Sequence, residues 1–340
     1  MKAAVTINKE SIRIDQVPKP EPKEDEVLVK VLAAGICGGD VRVYNGTFPY
    51  LNYPIINGHE FCGIVEGKGK TVQTIKEGDY VTGEPIIPCG HCYACSIGKP
   101  NCCSDLKVLG VHVNGCFAEY VCVKADRIYK LPDAIPPEDG CLIEPYGIGL
   151  HALHRLALTE EDSLFIIGAG PIGISALDIA KSIGAKVMIS DLFEKRLEIA
   201  EKMGADRLVV SGTCDIDAAV DEFTGGQKFP AVLEATGVPA VMQSTQNYVA
   251  NGGRICLAGV TNKTFELSTM AFCNKEVAVY GTRNSYHEFP ELIDLFAQKR
   301  LHPELMRTHI FSLDDYGEAI KMASKNTSDV CKIVIKVADR

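Results

Sequence analysis

Five cysteines fall within fifteen residues, CGHCYACSIGKPNCC at 89–103. Cys89, Cys92 and Cys95 follow C-x2-C-x2-C, and Cys103 comes seven intervening residues later. Four thiolates from one short loop suit a tetrahedral zinc closed to water, with Gly90, Gly98 and Pro100 supplying the bends. Cys102, next to Cys103, is an alternative fourth ligand. Such a site is structural, holding a lobe over about 85–106 that has too little apolar surface to fold alone. A second set is of a different kind: Cys37 in AAGICGGD (33–40), His59 and Glu60 in NGHEFCG (57–63), and Glu144 in CLIEPYGIGLHAL (141–153). Sulfur, imidazole and carboxylate together suit a catalytic zinc that keeps one position open. Singly, Cys37 reads as a small buried hydrophobe and His59 as a hydrogen-bonded histidine. Glu144 changes that reading, because a carboxylate in an apolar stretch is costly unless paired or bound to a metal.

The elements that must position these groups come in two textures. Up to about residue 145, short strands such as EVLVKVL, CGIVEG, DYVTG and FAEYVCV are separated by Gly and Pro, the pattern of an antiparallel, barrel-like domain. From Ser163 the pattern becomes strand SLFII, glycine turn GAGPIG (168–173), helix ISALDIAKSIGA, and strand KVMIS ending at Asp191. Gly168 permits the tight turn, Gly170 lets backbone approach a pyrophosphate, and Gly173 lets the helix pack on the strand. The helix N-terminus then faces the phosphates with unpaired N–H groups. Asp191 stands where an acid binds the adenosine ribose hydroxyls and repels a 2′-phosphate, so NAD is preferred over NADP, with nearby Arg196 leaving some NADP tolerance. Further strands RLVVS, AVLEATG, RICLAG and EVAVYG alternate with helices EKRLEIAEKMGA and VPAVMQSTQNYVANGG, predicting a doubly wound parallel sheet. The expected domains are 1–147, 148–285, and a return to the first domain over 286–340 through helix PELIDLFAQKR and strand CKIVIKV.

The bulk numbers fit two domains: 340 residues, 46% hydrophobic and 23% charged. A net charge of −9 without a basic cluster argues against nucleic acid as a partner. No apolar run approaches the roughly 20 residues of a membrane span, and MKAAVTINKE has no signal-peptide pattern. A cytoplasmic protein is expected, in which fourteen cysteines serve as metal ligands or buried hydrophobes rather than disulfides.

Cys37, the GHE at 58–60, the four-cysteine loop, GAGPIG and the Asp191 segment occur in the order seen in zinc-dependent medium-chain alcohol/polyol dehydrogenases, and the resemblance spans essentially the whole chain. EPYGIGLHAL resembles the sorbitol and sugar-acid branch, where a glutamate replaces a third-ligand cysteine. CGHCYACSIGKPNCC and VLGVHVNGCFAEY resemble bacterial hexonate dehydrogenases of the L-galactonate 5-dehydrogenase type. The resemblance implies an α/β architecture, a Rossmann doubly wound sheet plus a GroES-like antiparallel β-barrel catalytic domain. It makes Cys103 the fourth structural ligand, and gives the catalytic zinc to Cys37, His59 and Glu60 or Glu144, with Asp40 in the same site. Pro171, Ile172 and Thr236 join the NAD contacts. Two positions depart from the family: many relatives carry Ser or Thr where this chain has Gly39, and His where it has Arg42, both parts of a proton relay. Water held by Glu60 or Glu144 is the simplest substitute. A third departure is Gly115-Cys116, where relatives have Gly-Gly.

The chemistry implied is hydride transfer from a secondary hydroxyl to NAD. The substrate expected is a hexonate such as L-galactonate or L-gulonate, oxidised at C5. Arg283, in YGTRNS (280–285), is the candidate carboxylate anchor, with Asn284 for hydroxyls and Arg42 for added positive charge. Tyr44, Phe48 and Tyr50 are candidate cleft walls. The alternatives are a neutral polyol or polyol phosphate as substrate, and an inactive NAD-binding sensor, which Gly39 and Arg42 favour. A homodimer or homotetramer is implied by the family, with EVAVYG as an edge strand able to pair across a two-fold axis.

Overall fold

The structure is a computed structural model that describes residues 1–48 and 52–340. Tyr50 lies outside the described residues. The chain forms two compact units: Met1–Glu144 with Ser285–Lys299 and Arg307–Arg340, and Pro145–Asn284 with Arg300–Met306.

The first unit is built on a seven-stranded sheet. Its central strand Glu26–Gly35 is flanked by Glu60–Lys68, Tyr120–Lys124 and Lys332–Lys336, all antiparallel to it. The sheet is not wholly antiparallel, because Lys332–Lys336 pairs in parallel with Arg307–Ser312. The helix Tyr316–Ser324 between those two strands supplies the crossover that a parallel pair needs. Alternate residues Val27, Val29 and Val31 of the central strand join Phe61, Phe117 and Tyr316 in the core. A two-stranded ribbon, Ile86–Ile87 with Lys107–Val108, carries the four-cysteine loop. That lobe's own core consists of Ile86, Cys103 and Leu106.

The second unit is a six-stranded sheet with every neighbouring pair parallel. Its order is Arg207–Val210, Lys186–Asp191, Ser163–Ile167, Phe229–Glu234, Val249–Leu257, Ala278–Gly281. Numbered along the chain this is 3-2-1-4-5-6, the doubly wound order whose switch point lies beside the first strand. One expected boundary moves. The helix expected over VPAVMQSTQNYVANGG ends at Tyr248, and VANGG begins the strand Val249–Leu257. Val249 and Ile255 are buried in the sheet core, so burial of β-branched side chains outweighs continuation of the helical pattern.

Candidate active site

Cys37 is the N-cap of the short helix Gly38–Tyr44, and its sulfur accepts from the Gly39 N–H at 3.4 Å. Asp40, fully buried, closes a capping box by accepting from the Cys37 N–H at 2.9 Å. Its other oxygen accepts from the Gly58 N–H at 3.1 Å, which ties the Cys37 segment to the turn carrying His59. Gly58 has φ 96°, and an added Cβ there would meet Cys116 Sγ at 2.8 Å and the Phe117 ring at 2.9 Å. The turn therefore requires glycine. Segment 114–117 clamps it through Gly115 N–H to Ile56 O (2.7 Å), Cys116 N–H to Gly58 O (3.0 Å) and Phe117 N–H to Asn57 O (3.0 Å). This gives Cys116 a role: its fully buried thiol fills the space that Gly58 leaves.

These devices bring Cys37, His59 and Glu60 together, with one ligand atom of each lying within 4.8 Å of the others. His59 Nδ1 is buried without a hydrogen-bond partner, 3.9 Å from Asp40 Oδ1. Burial disfavours an imidazolium here, yet the charges of Cys37 and Asp40 outweigh it and hold the His59 pKa well above its ordinary value. The surroundings thus favour a cation, and the donor set is the mixed sulfur, nitrogen and oxygen type suited to zinc. Glu144 lies in the first turn of the helix Ile143–Leu156, 4% exposed. Burial pushes its carboxyl up to about 7, against the pull of the nearby His59.

Sequence reasoning missed Lys332. Its ammonium, 2% exposed, donates to Glu60 Oε1 at 2.7 Å, Glu60 Oε2 at 2.9 Å and Ile36 O at 3.1 Å. Burial opposes the charge, but Glu60 and Cys37 more than compensate and raise its pKa. The available signal was a lysine inside the otherwise apolar run CKIVI, where an unpaired ammonium would be costly.

In the lobe, the sulfurs of Cys89, Cys92, Cys95 and Cys103 also lie within 4.8 Å of one another. Cys103 is buried and Cys102 exposed, so the structure turns Cys103 inward. Hydrogen bonds from the backbone at Cys95 and Ser104 lower the Cys92 thiol, while burial and the Cys92 and Cys103 sulfurs raise that of Cys95, as for neighbouring thiols that share one charge.

In the second unit, Gly168 has φ 109°, and a Cβ on Gly173 would stand 1.8 Å from Gly168 O. Gly170 is the N-cap of the helix Pro171–Ile183, with Pro171 at its first position and Ile172 next, and no atom within 4 Å of where a Gly170 Cβ would stand. Asp191 ends its strand with its carboxylate accepting from the Ala169 N–H at 2.7 Å and the Phe193 N–H at 2.9 Å. Thr236 lies against the glycine turn, its Cγ2 2.9 Å from a Cβ built on Gly168, and its hydroxyl donates to Glu234. The Arg196 guanidinium lies 4.8 Å from the Phe193 ring centre. Arg283 is exposed and Asn284 half-buried, two and three residues beyond the strand Ala278–Gly281. Arg42 is exposed on the last turn of its helix, 5.8 Å from the half-buried Phe48 ring. Tyr44 does not behave as a cleft wall: it is 5% exposed within the apolar core, since the helix Gly38–Tyr44 turns Val43 and Tyr44 inward.

Residues 23–133 match the alcohol dehydrogenase GroES-like domain family, and residues 171–298 the zinc-binding dehydrogenase family. The chain is 35% identical to L-galactonate-5-dehydrogenase of Escherichia coli K12, covering 93% of each chain. It is 33% identical to sorbitol dehydrogenase of Bacillus subtilis 168, covering 98% of this chain and 97% of the other. Relatives' names also extend to L-threonine 3-dehydrogenase, at 34% identity in Alteromonas mediterranea over 93% of this chain and 94% of that one. Among solved structures, an alcohol dehydrogenase (rspB) of E. coli CFT073 complexed with NADH superposes with a TM-score of 0.94 at 32% identity, covering 99% of each chain. The chain belongs to the zinc-binding medium-chain alcohol dehydrogenase family. It is an oxidoreductase acting on CH–OH groups.

Proposed function

We propose that this enzyme oxidises a secondary hydroxyl of a hexonate, at C5 for L-galactonate or L-gulonate, with NAD as acceptor. The observation that carries the reading is the cluster of half-buried Cys37 with buried His59 and Glu60, Glu144 adjoining, a carboxylate-rich site suited to polyhydroxylated substrates. The similarity to a relative named for L-galactonate supports the sugar acid. Arg283 is assigned to the substrate carboxylate, as a bidentate pair, and Asn284 to hydroxyls. The similarity to sorbitol dehydrogenase favours a neutral polyol as the second reading.

Cys37, His59 and Glu60, with Glu144 beside them, would hold the catalytic zinc, which when bound supplies a Lewis acid that lowers the pKa of the substrate hydroxyl. Asp40 steers the His59 ring from its Nδ1 side. Glu144, buried in the first turn of its helix beside this cluster, is assigned to hold the water that takes the hydroxyl proton, standing in for the relay that Gly39 and Arg42 lack. The N–H groups opening the helix Pro171–Ile183 receive the NAD pyrophosphate. Asp191, oriented by the Ala169 and Phe193 N–H groups, keeps lone pairs for the ribose hydroxyls and repels a 2′-phosphate. NAD, when bound, would supply the hydride acceptor, so the products would be NADH and a keto acid. The strand Ala278–Gly281 ends its sheet, and we assign it to pairing between two copies in a homodimer.

The test is NADH formation by zinc-replete enzyme with L-galactonate, L-gulonate, sorbitol, galactitol, galactitol 1-phosphate and L-threonine side by side, repeated with Arg283→Ala. Turnover of a hexonate, weakened in Arg283→Ala mainly through KM, is expected. Turnover confined to neutral or phosphorylated polyols or to threonine rejects the sugar-acid assignment.

A further inference from the structure

The stretch Thr282–Glu288 joins the two units along the chain, and its backbone is unusual. Asn284 (φ 49°) and His287 (φ 72°) both occupy the left-handed region, which a non-glycine residue keeps only when its surroundings impose it. Two buried carboxylates hold the backbone at Tyr286 and His287. Glu84, 1% exposed, accepts from the His287 N–H at 2.9 Å and from Arg127 Nη1 at 3.3 Å. Glu288, 4% exposed, accepts from the Tyr286 N–H. Between these anchors the Tyr286 ring packs against the small apolar cluster of the four-cysteine lobe, with the Arg127 guanidinium 5.3 Å from the ring centre.

Glu84 also stands two residues before the lobe's ribbon strand Ile86–Ile87, so the lobe and the loop share a root as well as a packing contact. The lobe has a core of only three buried residues, so a metal holding its four cysteines keeps the surface under Tyr286 in shape. We infer that the four-cysteine lobe positions the loop that follows Arg283 and Asn284, with Tyr286 as the positioning residue that couples them. The effect on substrate rests on the assignment of Arg283 above; the coupling of lobe and loop does not. Coupling free energies are reciprocal, so bound substrate must raise the lobe's equilibrium affinity for its metal by the factor through which an intact lobe improves substrate affinity, and slower metal release is the expected kinetic sign of it.

The test uses holoenzyme loaded with Co²⁺ at both sites. Four thiolates give a sulfur-to-metal absorption band much stronger than one thiolate does, so release of the lobe metal to a chelator can be followed separately, with and without saturating L-galactonate. Tyr286→Ala is expected to start with two metals per chain and raise KM for L-galactonate about tenfold, with kcat and the KM for NAD near wild type. It should release the lobe metal about tenfold faster and abolish protection by substrate. Tyr286→Phe, which retains the ring, should match the wild type. In the wild type, removing the lobe metal should speed amide hydrogen exchange over 284–288; this measurement decides the matter even if Tyr286→Ala does not fold. Unchanged exchange there, or a wild-type release rate in Tyr286→Ala, overturns the coupling. Faster release with an unchanged KM in both Tyr286→Ala and Arg283→Ala keeps the coupling and removes Arg283 from the substrate site instead.

Discussion

An added Cβ on Gly35 would stand 2.0 Å from Glu60 Oε2, the carboxylate that Lys332 holds at 2.7 and 2.9 Å. Gly35→Ala should therefore force Glu60 off its partner and leave a buried charge uncompensated, a loss of about 3–5 kcal/mol by urea unfolding. Zinc analysis should show the catalytic metal lost before the lobe metal. Gly39 behaves differently, because a Cβ there meets His59 Cε1 at 3.8 Å and Cys37 Sγ at 3.9 Å, both ordinary contacts. Gly39→Ser should fold and keep both metals, and it should raise kcat about tenfold or more by restoring a hydroxyl for proton exit. The kcat, measured with its solvent isotope effect, checks this. At this scale the sequence was legible where ligands share a short segment, as Cys89 to Cys103 do. It was not legible where a partner comes from far along the chain. Nothing near Glu60 announces Lys332, and nothing in NGHE announces the clamp at 114–117.

Among the elements, the strand–glycine turn–helix unit at 163–183 is legible in the sequence because Gly168 and Gly173 answer local steric demands, while Gly170 leaves open space at the start of the helix. Gly173→Ala places a Cβ 1.8 Å from Gly168 O, so it should push the helix off the strand and weaken NADH binding at least about 100-fold. NADH fluorescence titration measures this, and metal content should be unaffected. The parallel pairing of Arg307–Ser312 with Lys332–Lys336 escaped the reading, since strand direction is set by the crossover and leaves no mark in either strand. VANGG was misread for a related reason: its burial comes from the sheet rather than from its neighbours. Asp79 and Lys130 pair at 2.9 Å across the adjoining strands Tyr80–Gly83 and Ile128–Lys130. Burial raises the Asp79 carboxyl, but the Lys130 bond and the Lys76 N–H outweigh it and hold it below the ordinary carboxylate value. A lowered folded-state pKa contributes stability above the ordinary value, lost as pH falls through the folded one. Asp79→Asn should thus melt a degree or two below wild type at pH 7, and the gap should close below about pH 4. Lys130 is half exposed, so the gap should also shrink in high salt.

For the molecule as a whole, the two metal clusters make different demands. The lobe draws all four sulfurs from residues 89–103 and can close on itself. The catalytic cluster cannot. Glu60 and Lys332 stand 272 residues apart in sequence, and the strand beginning at Lys332 also receives the Ile36 N–H through Ile333 O. A ribosome adding about 5–20 residues per second would need roughly 15–50 s to travel from one partner to the other. Throughout that interval the nascent chain carries the Cys37, His59 and Glu60 ligands without the ammonium that neutralises them. During synthesis, then, the lobe has its four ligands together early and is ready for its metal, while the catalytic site is completed only when the last strand arrives with Lys332.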